Sequence, residues 1–276
     1  MRALGVDVGG ERKGLDLVLM DERRVPFLTL PRADGGDLVR VIGDWEPDII
    51  AIDSPPRWAS TGRSRSTERE LHRLNIHALP TPSEEHSSDR RFDWMRAGIE
   101  AFRLAADNGY PVYSGGQLKK RLSIEVFPHA SAAIFAGCLP PKGSTKKRWR
   151  HAVLRSQGVI PDGLTSLDLV DAALSALTGL HALAGRASHL GDPLEGVIVL
   201  PSATLPAKRY APGRPAEPTD PLFGYCGCGC GTIVRGSFVP GHDAKRKSEL
   251  WRLMRDGAEA ARELKERRWE LPPETR

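Results

Sequence analysis

The chain has 276 residues, 40% of them hydrophobic, with a mean hydropathy of −0.35, which supplies one sizeable core plus an appendage and excludes wholesale disorder. No apolar run approaches the roughly 18 residues of a membrane span, and the start M-R-A-L-G-V-D lacks a signal peptide's layout, so the expected setting is soluble and cytoplasmic, with no membrane partner. A formal charge of +5 and an isoelectric point of about 9.1 permit a nucleic-acid partner without demanding one.

Residues 2–9 read as a short buried strand that stops at two glycines, with Asp7 inside it between Val6 and Val8. G-G-E-R-K-G, from Gly9 to Gly14, turns the chain, residues 15–20 return as a second strand and residues 25–30 form a third, giving an antiparallel meander. Leu38, Val41, Ile42 and Trp45 then mark an amphipathic helix that Pro47 ends. D-I-I-A-I-D, residues 48–53, lacks alternation and reads as a strand buried on both faces, parallel to the first. That pairing would bring Asp7 and Asp53 side by side at the strand ends where open α/β sheets place ligands.

Residues 57–92 read as a long polar excursion with one short helix, followed by a helix to Asp107. R-L-S-I-E-V-F, residues 121–127, is a further strand holding Glu125; helices over 131–136 and 146–156 follow. The clearest helix spans 165–185, where Thr165 and Asp168 fit a capping box and Asp168 and Asp171, three apart, share a face. G-V-I-V-L, within 195–201, is the last core strand.

A buried carboxylate costs on the order of several kcal/mol unless it is paired or binds a metal. Asp7, Asp53, Glu125, Asp168 and Asp171 come from distant elements and could converge, as the hard oxygen ligands of Mg2+ or Mn2+ do. Other roles stand beside this one: Asp53 capping its turn, Glu125 pairing with Arg121 or Lys120, Asp168 capping its helix.

Four motifs in this order, V-D-x-G-G at Val6–Gly10, A-I-D-S-P at Ala51–Pro55, E-V-F-P-H at Glu125–His129 and L-D-x-x-D-A-A at Leu167–Ala173, resemble a domain-of-unknown-function family predicted to be RNase H-fold nucleases. The late D-x-x-D-A is also similar to RuvC-type resolvases. The resemblance implies an α/β fold with an RNase H-like mixed five-stranded sheet, three strands antiparallel and two parallel, flanked by helices. It assigns metal-binding acids to Asp7, Asp53 and Asp171, with Asp168 as a further acid and Glu125 and His129 in the middle motif. The competing enzyme reading is an actin-like or sugar-kinase phosphotransferase, whose phosphate loop Gly5–Gly10 resembles, but no second related domain or adenosine-binding glycine turn is evident.

Two basic groups, Arg57, Arg63 and Arg65 in the excursion and Lys142, Lys146, Lys147 and Arg148 in an acid-free run, are candidate phosphate contacts. A Pro-rich stretch, 205–224, separates a nuclease-like domain, 1–204, from a Cys/Gly-rich segment and amphipathic helix over 225–276. Cys226, Cys228, Cys230 and His242 number the four ligands of a structural zinc site, although C-G-C-G-C is more compressed than common zinc spacings. The resulting expectation is a metal-dependent nuclease acting on DNA or RNA. The non-enzyme alternative is a nucleic-acid-binding or adaptor protein on the same fold; nothing in the sequence sets the oligomeric state.

Overall fold

β1 (Arg2–Val8), β2 (Leu15–Asp21) and β3 (Pro26–Ala33) form the expected antiparallel meander. The structure, a computed structural model, describes residues 1–213 apart from Glu11 and Asp162, together with the backbone of two later strands, Phe223–Tyr225 and Ile233–Arg235. Helix α1 (Gly35–Trp45) returns the chain so that β4 (Ile49–Asp53) lies parallel to β1, and β5 (Leu122–Glu125) lies parallel to β4.

The sheet has seven strands rather than five, in the order β3-β2-β1-β4-β5-β7-β6. Its first five match the order and directions that the resemblance implies. The extension is β7 (Ile198–Leu200), parallel to β5, and β6 (Ser188–Leu190), antiparallel to β7. β7 is the apolar G-V-I-V-L stretch, whereas β6 is three residues reading S-H-L, too short to show an alternating pattern.

Both faces of the sheet are covered, which accounts for the unbroken apolar run of β4. Between β4 and α3 (Asp93–Asp107) runs the excursion, which contains α2 (Ser66–Arg73). Leu4, Val6, Leu17, Leu19, Ile50 and Ile52 pack with α1 and α3. Ala3, Val18, Met20, Ile49, Ala51 and Ile124 pack on the opposite side, with α4 (Pro128–Ala136), α5 (Lys146–Ser156) and α6 (Leu167–Leu183). Successive strand residues alternate faces, so the odd positions of β1 and β4 belong to the α6 side.

α6 is buried from Leu169 to Ala182 and lies directly on β1. A Cβ on Gly5 would stand 1.9 Å from the Ala172 carbonyl oxygen and 2.5 Å from the Ala176 amide nitrogen. Only a residue without a side chain allows this contact, and Ala172, Ala173 and Ala176 present the matching small surface on the helix. The N-cap of α6 is Ser166, whose hydroxyl accepts from the Leu169 amide at 2.9 Å, not Thr165 as the capping-box pattern suggests. Asp168 is therefore free of the capping role.

The chain divides into two compact units, Met1–Gly213 and Arg214–Arg276. In the second, β8 (Phe223–Tyr225) pairs antiparallel with β9 (Ile233–Arg235). The expected helix after residue 244, and Cys226, Cys228, Cys230 and His242, lie outside the described residues. Among the described residues no helix is long and apolar enough to cross a membrane.

Candidate metal centre

Strand register alone brings three aspartates into a row. The β1–β2 turn is closed by the Gly9 amide donating to the Gly14 carbonyl at 2.9 Å, with Gly14 at φ +73° where a side chain would be strained. This sets Asp7 opposite Asp16, and the parallel pairing on the other side sets Asp7 beside Asp53. With neighbouring strands about 4.8 Å apart, the three carboxylates stand in line on the face that α6 covers.

The first turns of α6 add two more acids. Carboxylate oxygens of Asp7, Asp16 and Asp168 all lie within 4.8 Å of one another, and the Lys13 ammonium approaches Asp168 at 3.3 Å. One helical turn on, Asp171 accepts a hydrogen bond from the Arg150 guanidinium of α5, while its other oxygen, Oδ1, is buried without a partner. The trio compact enough to share one ion is Asp7, Asp16 and Asp168, while the expected Asp53 and Asp171 also neighbour Asp7. Asp171 has turned towards α5 and Asp53 stands on the far side of Asp7 from Asp16.

The electrostatics follow from this crowding. Burial, reinforced by Asp53, Asp171, Asp168 and Asp16, pushes the Asp7 carboxyl up to about 9. Burial and then Asp171 hold Asp53 well above the ordinary carboxylate range, and a side-chain hydrogen bond links it to Asp7. Asp171 rises to about 6 through burial, against the opposing pull of Arg150, and Asp16 is also raised, chiefly by burial. A cation would relieve all four. The donors are hard oxygens of the kind Mg2+ or Mn2+ accepts, and the unpartnered Asp171 Oδ1 offers one more, so the residues present fit a divalent ion.

Glu125 is differently placed. It stands in register with Ile52, hence on the face opposite the aspartates, and accepts from Arg65 Nη1 at 2.8 Å and Nη2 at 2.6 Å. Its partner is therefore neither Arg121 nor Lys120, and its lone pairs serve an ion pair. Arg65, expected on the surface against phosphate, is 1% exposed and also donates through Nε to Glu68 at 2.8 Å. The backbone amide of Arg65 donates to Glu68 as well, and Glu68 accepts from Thr81 at 2.8 Å. The excursion is thereby pinned to the end of β5.

Arg57 and Arg63 are exposed on the excursion, and Lys142, Lys146, Lys147 and Arg148 are exposed at and before the start of α5. Lys147 donates to the Thr165 carbonyl beside the start of α6. Lys146, together with Arg150, lines a cleft of about 360 Å³ at the carboxyl ends of β4 and β5, which also includes Asp53, Glu125 and His129. Burial first, then Arg150 and Lys146, lowers His129 to about 4.

Asp16 escaped the sequence reading, and Arg150 entered it only as a member of the basic run against phosphate, not as the partner of Asp171. Asp16 had a signal: residues 7 and 16 are symmetric about the Gly9–Gly14 turn, so a hairpin closing Val8 on Leu15 must pair them. Arg150 had none beyond its membership of a basic run.

A protein family described as "Protein of unknown function (DUF429)" matches residues 5–195. The chain belongs to that family. The matched span holds every acid of the cluster. Two solved structures of RuvC from Thermus thermophilus are similar to this family member. The one described as in complex with Holliday junction substrate is 14% identical with a TM-score of 0.38, covering 67% of this chain and 96% of that one. The other is 12% identical with a TM-score of 0.35, covering 67% and 97%. No curated protein matches the chain.

Proposed function

We propose that this protein is a divalent-metal-dependent hydrolase of phosphodiester bonds in nucleic acid, built on an RNase H-like sheet within residues 1–204. The observation that carries the reading is the approach of Asp7, Asp16 and Asp168 oxygens within 4.8 Å, around a carboxyl raised to about 9. At neutral pH that carboxyl keeps its proton, and a divalent ion held by the three aspartates would displace it. Asp7, Asp16 and Asp168 would hold the ion, and Asp53 with the unpartnered oxygen of Asp171 would offer further carboxylate donors beside it. Metal bound there would activate a water and stabilise the leaving oxygen.

The chain's own residues supply the remainder. Lys146 and Arg150 set positive charge beside Asp53, where a phosphate entering the cleft would lie, and the exposed Lys142, Lys147 and Arg148 continue that charge outside it. Contacts of this kind position a strand without reading its sequence.

The test is cleavage of a panel of single-stranded, duplex and branched DNA and RNA with Mg2+ or Mn2+, comparing the natural chain with Asp7→Asn. Loss of a metal ligand removes several kcal/mol of transition-state stabilisation, so turnover is expected to fall by roughly 10³-fold. Undiminished metal-dependent turnover in that variant overturns the proposal. Salt-sensitive binding with no metal-dependent cleavage of any substrate would assign the chain to the binding-protein alternative.

A further inference from the structure

The cleft beside Asp53 is lined by both charged and apolar side chains. Its lining includes the charged groups of Asp53, Lys146 and Arg150 and the apolar side chains of Trp94, Phe127 and Leu79. Leu79 is 68% exposed, and Trp94 and Phe127 are half-buried. Aromatic and aliphatic surface is thus left partly wet at the rim of a charged pocket, the pattern of a ligand site in which flat apolar walls hold one part of the ligand and a few charged groups orient the rest. Asp53 belongs to this cleft and to the acid row, and Arg150 both lines the cleft and reaches Asp171. Whatever enters the cleft is adjacent to the carboxylates.

The walls are fixed in place. The Arg65–Glu125 pair ties the excursion, which carries Leu79, to the end of β5. The His129 ring stands edge-on between Phe127, at 5.9 Å between centroids, and Trp149, at 5.6 Å. Its Nδ1 is buried without a partner, a polar position left over after the cleft wall is built.

We propose that this cleft takes one unstacked base of a nucleic-acid strand, with the phosphate of the same nucleotide held by Lys146 and Arg150 towards Asp53, so that the substrate is single-stranded or locally unpaired. The direction of the phosphate rests on the hydrolase reading; the base pocket does not. In a continuous duplex both faces of every base are covered by its neighbours, so Trp94 and Phe127 have nothing to stack on. An unpaired base has free faces, and stacking on aromatic side chains tolerates any of the four. The negative phosphate meets the two cations that line the same cleft.

The experiment measures binding of the full chain, with calcium chloride present, to DNA and RNA oligonucleotides carrying a single 2-aminopurine, as single strands and as matched blunt duplexes. Single strands are expected to bind at least tenfold tighter than duplexes and to alter the 2-aminopurine fluorescence. Trp94→Ala should weaken single-strand binding by about tenfold, the scale of one lost base stack, and leave duplex binding unchanged. Leu79→Ser at the exposed rim, which cannot unfold a core, should produce a smaller loss in the same direction. Equal affinity for both forms, or no change in either variant, overturns the inference. Metal-dependent cleavage of intact duplex untouched by both variants would also overturn it while leaving the hydrolase reading intact. Single-strand binding through Trp94 by a chain that cuts nothing would support the pocket and remove the hydrolase reading instead. A preference for DNA or RNA in the two arms separates the sources of the nucleotide, and either supports the cleft.

Discussion

Glu125 and the aspartate cluster stand at the same end of one sheet, and the protein treats their charge in opposite ways. Glu125 is buried and fully answered: the fork of Arg65 meets both its oxygens, and Glu68 and Thr81 complete the network. The five aspartates have two direct cationic partners among the described residues, Lys13 on Asp168 and Arg150 on Asp171. Asp7, at the centre of the row, has no ion-pair partner among the described residues, and its carboxyl is raised to about 9. A carboxylate answered from within is part of the scaffold. A crowd of them left short of positive charge is poised for a cation from outside.

Substitutions on the two sides of the comparison should therefore move stability in opposite directions. The largest effect is expected at Arg65→Met, which strands Glu125 and Glu68 in the interior. Breaking a buried pair from one side costs about 3–5 kcal/mol, read as a lowered denaturant midpoint at unchanged slope; a loss under about 1 kcal/mol would mean that the pair does not pin the excursion.

Gly5→Ala comes next. Its new methyl would meet helix backbone, which cannot rotate aside as a side chain can. A destabilisation of about 1–3 kcal/mol is expected, together with weakened Mn2+ binding, because the displaced α6 carries Asp168 and Asp171. Normal metal affinity in a destabilised variant would show that the helix contact supports the fold alone.

The third effect is one of pH. Asp7 and Asp171 have folded values near 9 and 6, above the ordinary 3.8, so the folded state holds protons that the unfolded chain has released. Their contribution is fully present below about pH 4 and is lost as pH rises through 6 and then 9. The melting temperature of the metal-free protein should accordingly decline across that window, relative to Asp7→Asn. The variant should be the more stable of the two at pH 8, the reverse of Arg65→Met. Mn2+ should restore the natural chain and bind more tightly as pH rises, releasing protons. A flat difference between natural chain and variant from pH 4 to 9 would break the comparison. The smallest effect is at Lys146→Ala: stability within about 0.5 kcal/mol, and a salt dependence of nucleic-acid binding reduced by about one unit of slope.

Much of this architecture was legible in the sequence because it follows from local pattern. An apolar run with an acid near its end, twice, separated by two antiparallel strands and a helix, points to two parallel strands with Asp7 and Asp53 in register. The five-strand count fell short by two, because β7, legible as a strand, stood outside the five that the resemblance implies and β6 has no periodicity to read. Asp16 went unread although the hairpin symmetry held it opposite Asp7, since an acid at the start of a strand resembles a turn residue.

By itself the sequence determined the elements, their order and the aspartates at the ends of β1 and β4 and the start of α6, because hydrophobic period and turn chemistry act over a few residues. The tertiary structure decided which charges are answered. Arg65 lies 60 residues from Glu125, and Arg150 lies 21 from Asp171. Both arginines sit in basic runs that read as surface contacts for phosphate. An ion pair is defined by burial and distance across the fold, and neither quantity is written in the spacing of residues along the chain.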